Sequence, residues 1–284
     1  MSNNQLTQSG PQAVPAHINP TPDWLKRRIQ QLGPWHMDIR VTDQISTGQI
    51  YSADGAILER PANQGISLLK LRDRFMDILD RLYPDGVAEK RFLDCACNAG
   101  GYCFWAREKG VDSAFGFDVR DHWIKQARFV KNQRKVGPTN RLQLKVMDLY
   151  DLEKMKLAPF DITNFKGIFY HLPDPVAGLR IAADMTREIL IFNTSTMWGE
   201  KDGYLRCGLE SRKNLMSGVH GLKWYPTGPK VCADILKWLG FEEMKLSFFR
   251  EHRDNQDLSL GRLEIIAARE PGMLDNIEGE LLTS

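Results

Sequence analysis

Between residues 91 and 193 the chain alternates short apolar runs with amphipathic segments, and this order constrains the fold more than any other feature. The runs predict strands and the segments between them predict helices. Predicted strands cover 91–97, 113–117, 142–146, 161–165 with 167–170, and 188–193; predicted helices cover 102–109, 122–131 and 175–185. Strands that alternate with helices form a parallel sheet with right-handed crossovers. The sequence therefore predicts an α/β domain with a doubly wound, mostly parallel sheet.

The segments on either side of this repeat predict an extension and an insertion. Residues 1–22 are rich in Ser, Asn, Gln and Pro and predict a disordered tail. Residues 23–89, with helices at 23–31 and 68–82, form an N-terminal extension that we expect to act as a lid. The main domain covers 90–270, with a substrate-side insertion at 194–225, a helix at 228–239 and a final hairpin of 241–249 and 263–268. Residues 271–284 form a C-terminal tail.

Composition excludes several classes of protein. Of 284 residues, 38 are Lys or Arg and 36 are Asp or Glu, so the net charge is only +2, which disfavours extensive binding to nucleic acid. Five cysteines lack paired Cys-x-x-Cys spacing, which argues against a disulfide framework or a structural zinc site. We find no basic, apolar leader and no run long enough to span a membrane. We expect a cytoplasmic protein with reduced thiols, no membrane partner and no metal.

The strongest local motif is the stretch from Phe92 to Tyr102, which predicts a strand, then a turn of small residues, then the start of a helix. Small residues let a ligand approach the backbone, and a helix N-terminus offers free N–H groups. A Gly-x-Gly-x-x-Gly pattern is absent, because Ala96 and Asn98 occupy the earlier glycine positions. The motif therefore fits either a cofactor-binding turn or a purely structural one.

Two acidic residues follow at the ends of the next two strands. Asp118 lies about 20 residues after the turn, the distance at which a carboxylate accepts hydrogen bonds from ribose hydroxyls. Asp148 closes the third strand and is suited to an exocyclic adenine amine. Successive polar strand ends at one sheet edge predict a nucleoside site.

Three motifs carry a family resemblance: Gly33-Pro34-Trp35-His36, Cys97-Asn98-Ala99-Gly100 and 170–175, which reads Tyr-His-Leu-Pro-Asp-Pro. Together with the strand order, they make residues 32–270 resemble a class I S-adenosylmethionine-dependent methyltransferase. Within that class the chain resembles bacterial small-molecule methyltransferases that are distantly related to tRNA wobble-uridine carboxymethyltransferases. The resemblance implies a Rossmann-like, seven-stranded sheet with an antiparallel last strand.

The resemblance also implies a cofactor, S-adenosylmethionine, with S-adenosylhomocysteine as product. The residues that it places around the methionine part, the ribose and the adenine are Asp94, Ala96, Asn98, Gly100, Asp118, Val119, Arg120, Asp148, Leu149, Asn164 and Phe165.

His171 follows the predicted fourth strand, where this fold meets its substrate, and is the candidate general base. An imidazole accepts a proton near neutral pH, although a purely structural histidine fits the position equally well. The candidate substrate-binding residues are Trp35, His36, Lys166, Tyr170, Trp198, Arg206 and Tyr225. We expect His122, His220 and His252 to be solvated.

Three functions remain open from the sequence. The first is methyl transfer to an oxygen or nitrogen of a small-molecule acceptor. The second is tRNA modification of the carboxymethyl type, which the small net charge disfavours without excluding a tRNA partner. The third is a non-catalytic, cofactor-binding sensor or scaffold. The oligomeric state is equally open, and a homo-oligomer is one option.

Overall fold

The computed structural model describes residues 21–48, 50–51, 57–58, 66–134, 141–197, 202–250 and 260–283. Residues 1–20 of the predicted tail, Trp198 and His252 lie outside them. The helices in the described part are α1 (Pro22–Leu32), α2 (Ile66–Leu82), α3 (Gly101–Lys109), α4 (Asp121–Gln133), α5 (Pro175–Asp184) and α6 (Pro229–Trp238). The strands are β1 (Ile50–Tyr51), β2 (Ile57–Leu58), β3 (Arg91–Cys95), β4 (Ser113–Asp118), β5 (Leu142–Val146), β6 (Phe160–Lys166), β7 (Thr186–Met197), β8 (Leu205–Leu209), β9 (Leu222–Pro226), β10 (Glu243–Arg250), β11 (Leu260–Ala268) and β12 (Glu280–Leu281).

Eight of the described strands form one sheet in the order β12-β10-β11-β7-β6-β3-β4-β5. Strands β3 to β7 are parallel to their neighbours within this group, whereas β11 runs antiparallel to both β7 and β10. The predicted fold class is confirmed: a doubly wound, mostly parallel sheet with an antiparallel last strand. The two-residue strand β12 adds an eighth member at the edge beside β10.

Hydrophobic residues cover both faces of the sheet, because alternate side chains of a strand point to opposite faces. Phe92 belongs to the core that the sheet shares with α1, α2, α3 and α4. Leu93, the next residue along β3, belongs to the core shared with α5 and α6. This arrangement explains why the central strands read as nearly continuous apolar runs in the sequence.

Several predicted boundaries were wrong, among them the end of the first strand of the repeat, which is Cys95 and not residue 97. Residues 167–170 do not continue the fourth strand of the repeat: Gly167 adopts a left-handed conformation with φ of 70°, and a 3₁₀ turn follows at Phe169–His171. Residues 194–197 belong to β7 rather than to the insertion, because β11 pairs with them from far along the chain. A local sequence pattern does not show that a strand so far along the chain will pair with these residues.

The insertion contains a two-stranded hairpin of β8 and β9. The segment 210–221 between them, which we call the strap, is closed at its base by a hydrogen bond from the Glu210 N–H to the Gly221 carbonyl (2.9 Å). The strap crosses the carboxyl edge of the parallel sheet, where it contacts residues that follow β4, β5 and β6.

The N-terminal segment reaches the same edge. The Gln126 side chain of α4 donates to the carbonyls of Leu32 (2.7 Å) and Pro34 (2.9 Å). Met37 lies directly against the first residue of α3, where a Cβ added to Gly101 would come within 2.4 Å of the methionine methyl group. A side chain at the start of α3 would therefore require the end of the Met37 side chain to move.

None of the helices within the described ranges is both long and apolar enough to cross a membrane.

Candidate active site

The turn after β3 bends sharply at the carboxyl edge of the sheet. Ala96, Asn98 and Gly100 have φ values of 56°, 52° and 80°, all in the left-handed region. Two backbone hydrogen bonds hold this shape: Cys97 N–H donates to the Phe117 carbonyl (2.7 Å), and Gly100 N–H donates to the Cys97 carbonyl (2.8 Å). Left-handed backbone is tolerable for Asn and Gly but costly for most other residues, including alanine. The conformation of Ala96 is therefore held in place by the structure around it.

Asp118 lies at the end of β4 with its carboxylate facing this turn. One carboxylate oxygen accepts the Asn98 N–H (3.0 Å), and the other accepts the Arg120 N–H (2.9 Å). Burial raises the pKa of Asp118 to about 6, although both backbone hydrogen bonds favour its ionised form. A carboxylate has about four acceptor positions, so Asp118 retains capacity for two further donors.

A second buried polar pair lies deeper, between β3 and β6. The Asn164 amide donates to the Asp94 carboxylate (2.7 Å), and both residues are almost fully buried. Desolvation raises the pKa of Asp94 to about 7, against the Asn164 hydrogen bond and the nearby Lys166 charge, which lower it. Within the described part of the chain, no group donates a hydrogen bond to the buried Asn164 Oδ1 atom.

Asp148 is the third strand-end acid and follows β5. One carboxylate oxygen accepts the Tyr150 N–H (3.1 Å), and the other lies 3.3 Å from the His220 Nε2 of the strap. Leu149 beside it is buried. His220, which we expected to be solvated, is only partly so, because the strap folds back over β5.

His171 occupies the 3₁₀ turn after β6 and is largely buried. Its Nδ1 lies 2.8 Å from the Glu210 carboxylate. Desolvation lowers the pKa of His171, and the charges of Arg120 and Arg262 lower it further, whereas Glu210 raises it. The Tyr170 ring stacks on the Tyr225 ring, with centroids 5.7 Å apart, so an aromatic wall flanks the histidine.

The remaining predicted site residues lie at different places. Val119 is exposed beside Asp118, and the Arg120 side chain donates to the Ser217 carbonyl of the strap. Phe165 is buried in the sheet, and Arg206 lies opposite Tyr225 in the β8–β9 register.

Lys166 and Trp35 have partners other than the strand-end carboxylates, and His36 lies near Arg262. The Lys166 ammonium lies 2.9 Å from the buried Glu264 carboxylate and over the Tyr102 ring. Trp35 donates to the Ile29 carbonyl (2.7 Å), next to α4. Partial desolvation and the Arg262 charge lower the pKa of His36, although the residue as a whole stays exposed. His122, expected to be solvated, instead packs edge-on against Trp123 and contacts the Pro34 carbonyl.

Three residues at this edge escaped the sequence analysis. Glu210 and Gly218 of the strap contact His171, and Arg262 of β11 lies close enough to shift the pKa of both His36 and His171. Each lies at least 39 positions from His171 in the chain, within loop or hairpin sequence that carries no motif. Only their arrangement in space distinguishes them.

Comparison with known proteins agrees with this geometry. Residues 87–221 match the family model described as a methyltransferase domain. The match, the sheet order and the turn after β3 together indicate a methyltransferase domain over residues 87–221.

A curated relative of this chain is the tRNA U34 carboxymethyltransferase of Alteromonas mediterranea, 29% identical over 178 residues. The match covers 59% of this chain and 50% of the relative, so the chain spans about half the length of that protein. Two solved structures share the fold. The N-terminal domain of EvdMO1, in the presence of S-adenosylhomocysteine and D-fucose, is 19% identical with a TM-score of 0.62, covering 86% of this chain and 95% of that one. Magnesium protoporphyrin IX methyltransferase of Synechocystis, with bound S-adenosylmethionine, is 15% identical with a TM-score of 0.51, covering 75% and 86%.

Among the described residues, no cluster of three or more His, Cys, Asp or Glu side chains could hold a metal ion.

Proposed function

We propose that this methyltransferase transfers the methyl group of S-adenosylmethionine to an oxygen or nitrogen of a small-molecule acceptor and releases S-adenosylhomocysteine. The observation that carries the proposal is the Asp118 carboxylate, buried at the end of β4 and hydrogen-bonded to the turn before α3. A carboxylate in this position suits the two ribose hydroxyls of a nucleoside cofactor.

The residues around Asp118 fit such a cofactor chemically. The buried Asn164 Oδ1, which no described residue hydrogen-bonds, is an acceptor that a ligand's ammonium group could satisfy. Asp94 beside it adds a carboxylate. We assign Asp94, Ala96, Asn98 and Gly100, with Asn164 and Phe165, to the methionine end.

The other end of the cofactor belongs to β4 and β5. We assign Asp118 to the ribose, Val119 and Arg120 to the flank of the adenine ring, and Asp148 with Leu149 to its amine edge. Asp148 has one oxygen bonded to a backbone N–H and the other 3.3 Å from His220, and a carboxylate can accept more hydrogen bonds than these.

The sulfonium of the bound cofactor supplies an already activated methyl group, so the protein's contribution is to align the acceptor and exclude water. His171 is the candidate base. Its lowered pKa keeps the imidazole neutral at neutral pH, in the form that accepts a proton from the acceptor.

The stacked Tyr170 and Tyr225 rings favour a small acceptor with an apolar or planar part. The similar structures support the same class, since one was solved in the presence of D-fucose and the other is a magnesium protoporphyrin IX methyltransferase. Trp35, His36, Lys166, Arg206 and Trp198 remain proposed as residues of the wider acceptor side.

Modification of tRNA is the second candidate, favoured by the 29% identical relative. Both candidates can be tested together by incubating the protein with a small-molecule extract or bulk tRNA and a labelled sulfonium donor, which is methyl-labelled S-adenosylmethionine for methyl transfer and its carboxymethyl analogue for carboxymethyl transfer. We expect label in the small-molecule fraction and stoichiometric S-adenosylhomocysteine. Label confined to the tRNA would replace the small-molecule proposal with the second candidate. Absence of label from both fractions, with the cofactor still bound, would leave a binding protein.

A further inference from the structure

Glu210 lies where it can control the state of His171. Its Oε2 atom is 2.8 Å from His171 Nδ1 and accepts the Gly218 N–H at 2.9 Å. The two side chains are only 11% and 16% exposed, so little water reaches the contact. A carboxylate held so close to an imidazole interacts with it more strongly than it would in solvent.

The hydrogen atoms of this contact can be assigned by elimination. An ionised carboxylate only accepts hydrogen bonds, so the close His171 nitrogen, Nδ1, must carry the hydrogen. The Gly218 nitrogen also lies 3.1 Å from Nδ1. Because a protonated Nδ1 cannot accept a hydrogen bond, the Gly218 N–H donates to Glu210 instead. The neutral ring is left with its lone pair on Nε2.

The strap is built to hold this contact in place. A Cβ added to Gly218 would lie 2.8 Å from Glu210 Oε2 and 2.8 Å from both Cβ and the carbonyl oxygen of His171. The strap is also tied to the end of β4 through Arg120 and to the residue after β5 through His220. The strap that carries Glu210 is thus held at three points: the Gly218–His171 contact, Arg120 and His220.

We propose that Glu210 is a positioning residue that fixes His171 in its Nδ1–H tautomer and leaves Nε2 as the atom that accepts the acceptor's proton. The inference rests on the proposed function, in which His171 is the base. In that step the acceptor's O–H or N–H bond breaks, its proton moves to Nε2, and its electron pair is free to take the methyl group. The Glu210 carboxylate stabilises the imidazolium that forms.

The other charges around His171 oppose Glu210. Arg120 after β4 and Arg262 of β11 both disfavour the protonated ring, as does burial, while the Tyr170 and Tyr225 rings pack beside the pair. His171 is therefore neutral before the reaction. Of these groups, Glu210 favours the imidazolium that forms when His171 takes the proton.

The test compares the full-length parent with Glu210→Ala, Glu210→Gln and the control Glu242→Gln, whose exposed carboxylate pairs with Lys237 on α6. Long-range ¹H–¹⁵N spectra of the free protein report the tautomer and pKa of His171, whose signals are assigned by their absence in His171→Gln. We expect the Nδ1–H tautomer in the parent and the control. The alanine variant should give a tautomer mixture, and the glutamine variant should keep the tautomer but lower the histidine pKa.

Kinetics supply a second readout. Glu210→Ala should lower turnover by about 10- to 100-fold, part of the roughly 10²–10⁴-fold worth of a positioned base, and leave cofactor affinity within about twofold, since Glu210 does not touch that site. In Glu210→Gln the acid limb of the rate profile should move to lower pH with the histidine pKa. Loss of a merely structural anchor would not move that limb.

An Nε2–H tautomer in the parent, or an unchanged tautomer and pKa in both Glu210 variants, would overturn the inference. Because these spectra are taken on the free protein, they decide the role of Glu210 even if S-adenosylmethionine fails to bind. That failure would instead overturn the proposed function. If Glu210→Ala does not fold, Glu210→Gln still decides through the histidine pKa.

Discussion

Asp118 uses one hydrogen bond on each carboxylate oxygen to hold the turn after β3 and the start of the loop before α4. We predict that Asp118→Ala weakens S-adenosylmethionine binding by about 1.5–3 kcal/mol, the range for a hydrogen bond to a charged group. Titration calorimetry measures the change. Asp112→Asn, at the opposite end of β4 and paired with Arg141 on the surface, is the control that should leave affinity unaltered. Equal affinity in folded Asp118→Ala would remove the ribose assignment.

The buried Asp94 side chain destabilises the folded protein when it is ionised, so its effect on stability depends on pH. Its pKa is about 7 in the folded protein against 3.8 without burial, so the folded state binds this proton more tightly than the unfolded chain. Stability is therefore lost as pH rises from about 4 to 7. We predict that Asp94→Asn is more stable than the parent at neutral pH by on the order of 2 kcal/mol and about equal to it near pH 4. Urea unfolding at several pH values measures this difference. Parallel stability curves would contradict the raised pKa.

His171 is predicted to act in turnover and not in cofactor binding. His171→Ala should lower turnover by about 10²–10⁴-fold, the usual contribution of a positioned base, and leave S-adenosylmethionine affinity unchanged. In the parent the rate should fall as pH drops through the lowered histidine pKa, because the protonated ring cannot accept. A folded variant that binds cofactor and turns over at the parental rate would show that alignment alone suffices.

At the residue scale, sequence reasoning could predict strand-end residues but not the partners that meet them. Asp118 and Asp148 could be singled out because the end of a strand is visible as the end of an apolar run. The Lys166–Glu264 ion pair and the His171–Glu210 contact join positions that no local pattern connects. A polar side chain's partner is decided by the packing of elements, which the sequence does not display.

Among the elements, the strands of the parallel sheet were the most predictable, because buried strands need continuous apolar runs and turn residues at their ends. The errors fell at Gly167, where one backbone conformation ends β6, and at residues 194–197, where a distant strand extends β7. The strap could be recognised as an insertion, but its course over the sheet edge depends on hydrogen bonds to Arg120, Asp148 and His171.

Helix α2 is held to the sheet by an aromatic cluster around Phe75, which is fully buried against Phe92, Tyr102 and Trp105. We predict that Phe75→Ala lowers the free energy of unfolding by about 3–5 kcal/mol, the cost of a large core cavity. Denaturant unfolding is the measurement. Leu281→Ala, at an exposed position of β12, should change stability by less than about 0.5 kcal/mol. Similar effects of the two substitutions would mean that α2 contributes little to the fold.

At the scale of the whole molecule, the proposed site is assembled from segments far apart in the chain. The N-terminal segment around Met37, the turn after β3, the strap and Arg262 of β11 converge on one edge of the sheet. Because a ligand that binds only the folded state stabilises that state, binding at this edge should be coupled to the stability of the entire domain.

The central claim is that this edge binds S-adenosylmethionine rather than a dinucleotide. Calorimetric titration of the full chain at neutral pH with S-adenosylmethionine and, separately, with NAD tests it most directly. Ala96 and Asn98 replace the glycines that let a dinucleotide's pyrophosphate approach the turn. We therefore predict one saturable site for S-adenosylmethionine and no saturable binding of NAD. Saturable binding of NAD, with no heat from S-adenosylmethionine, would contradict the account.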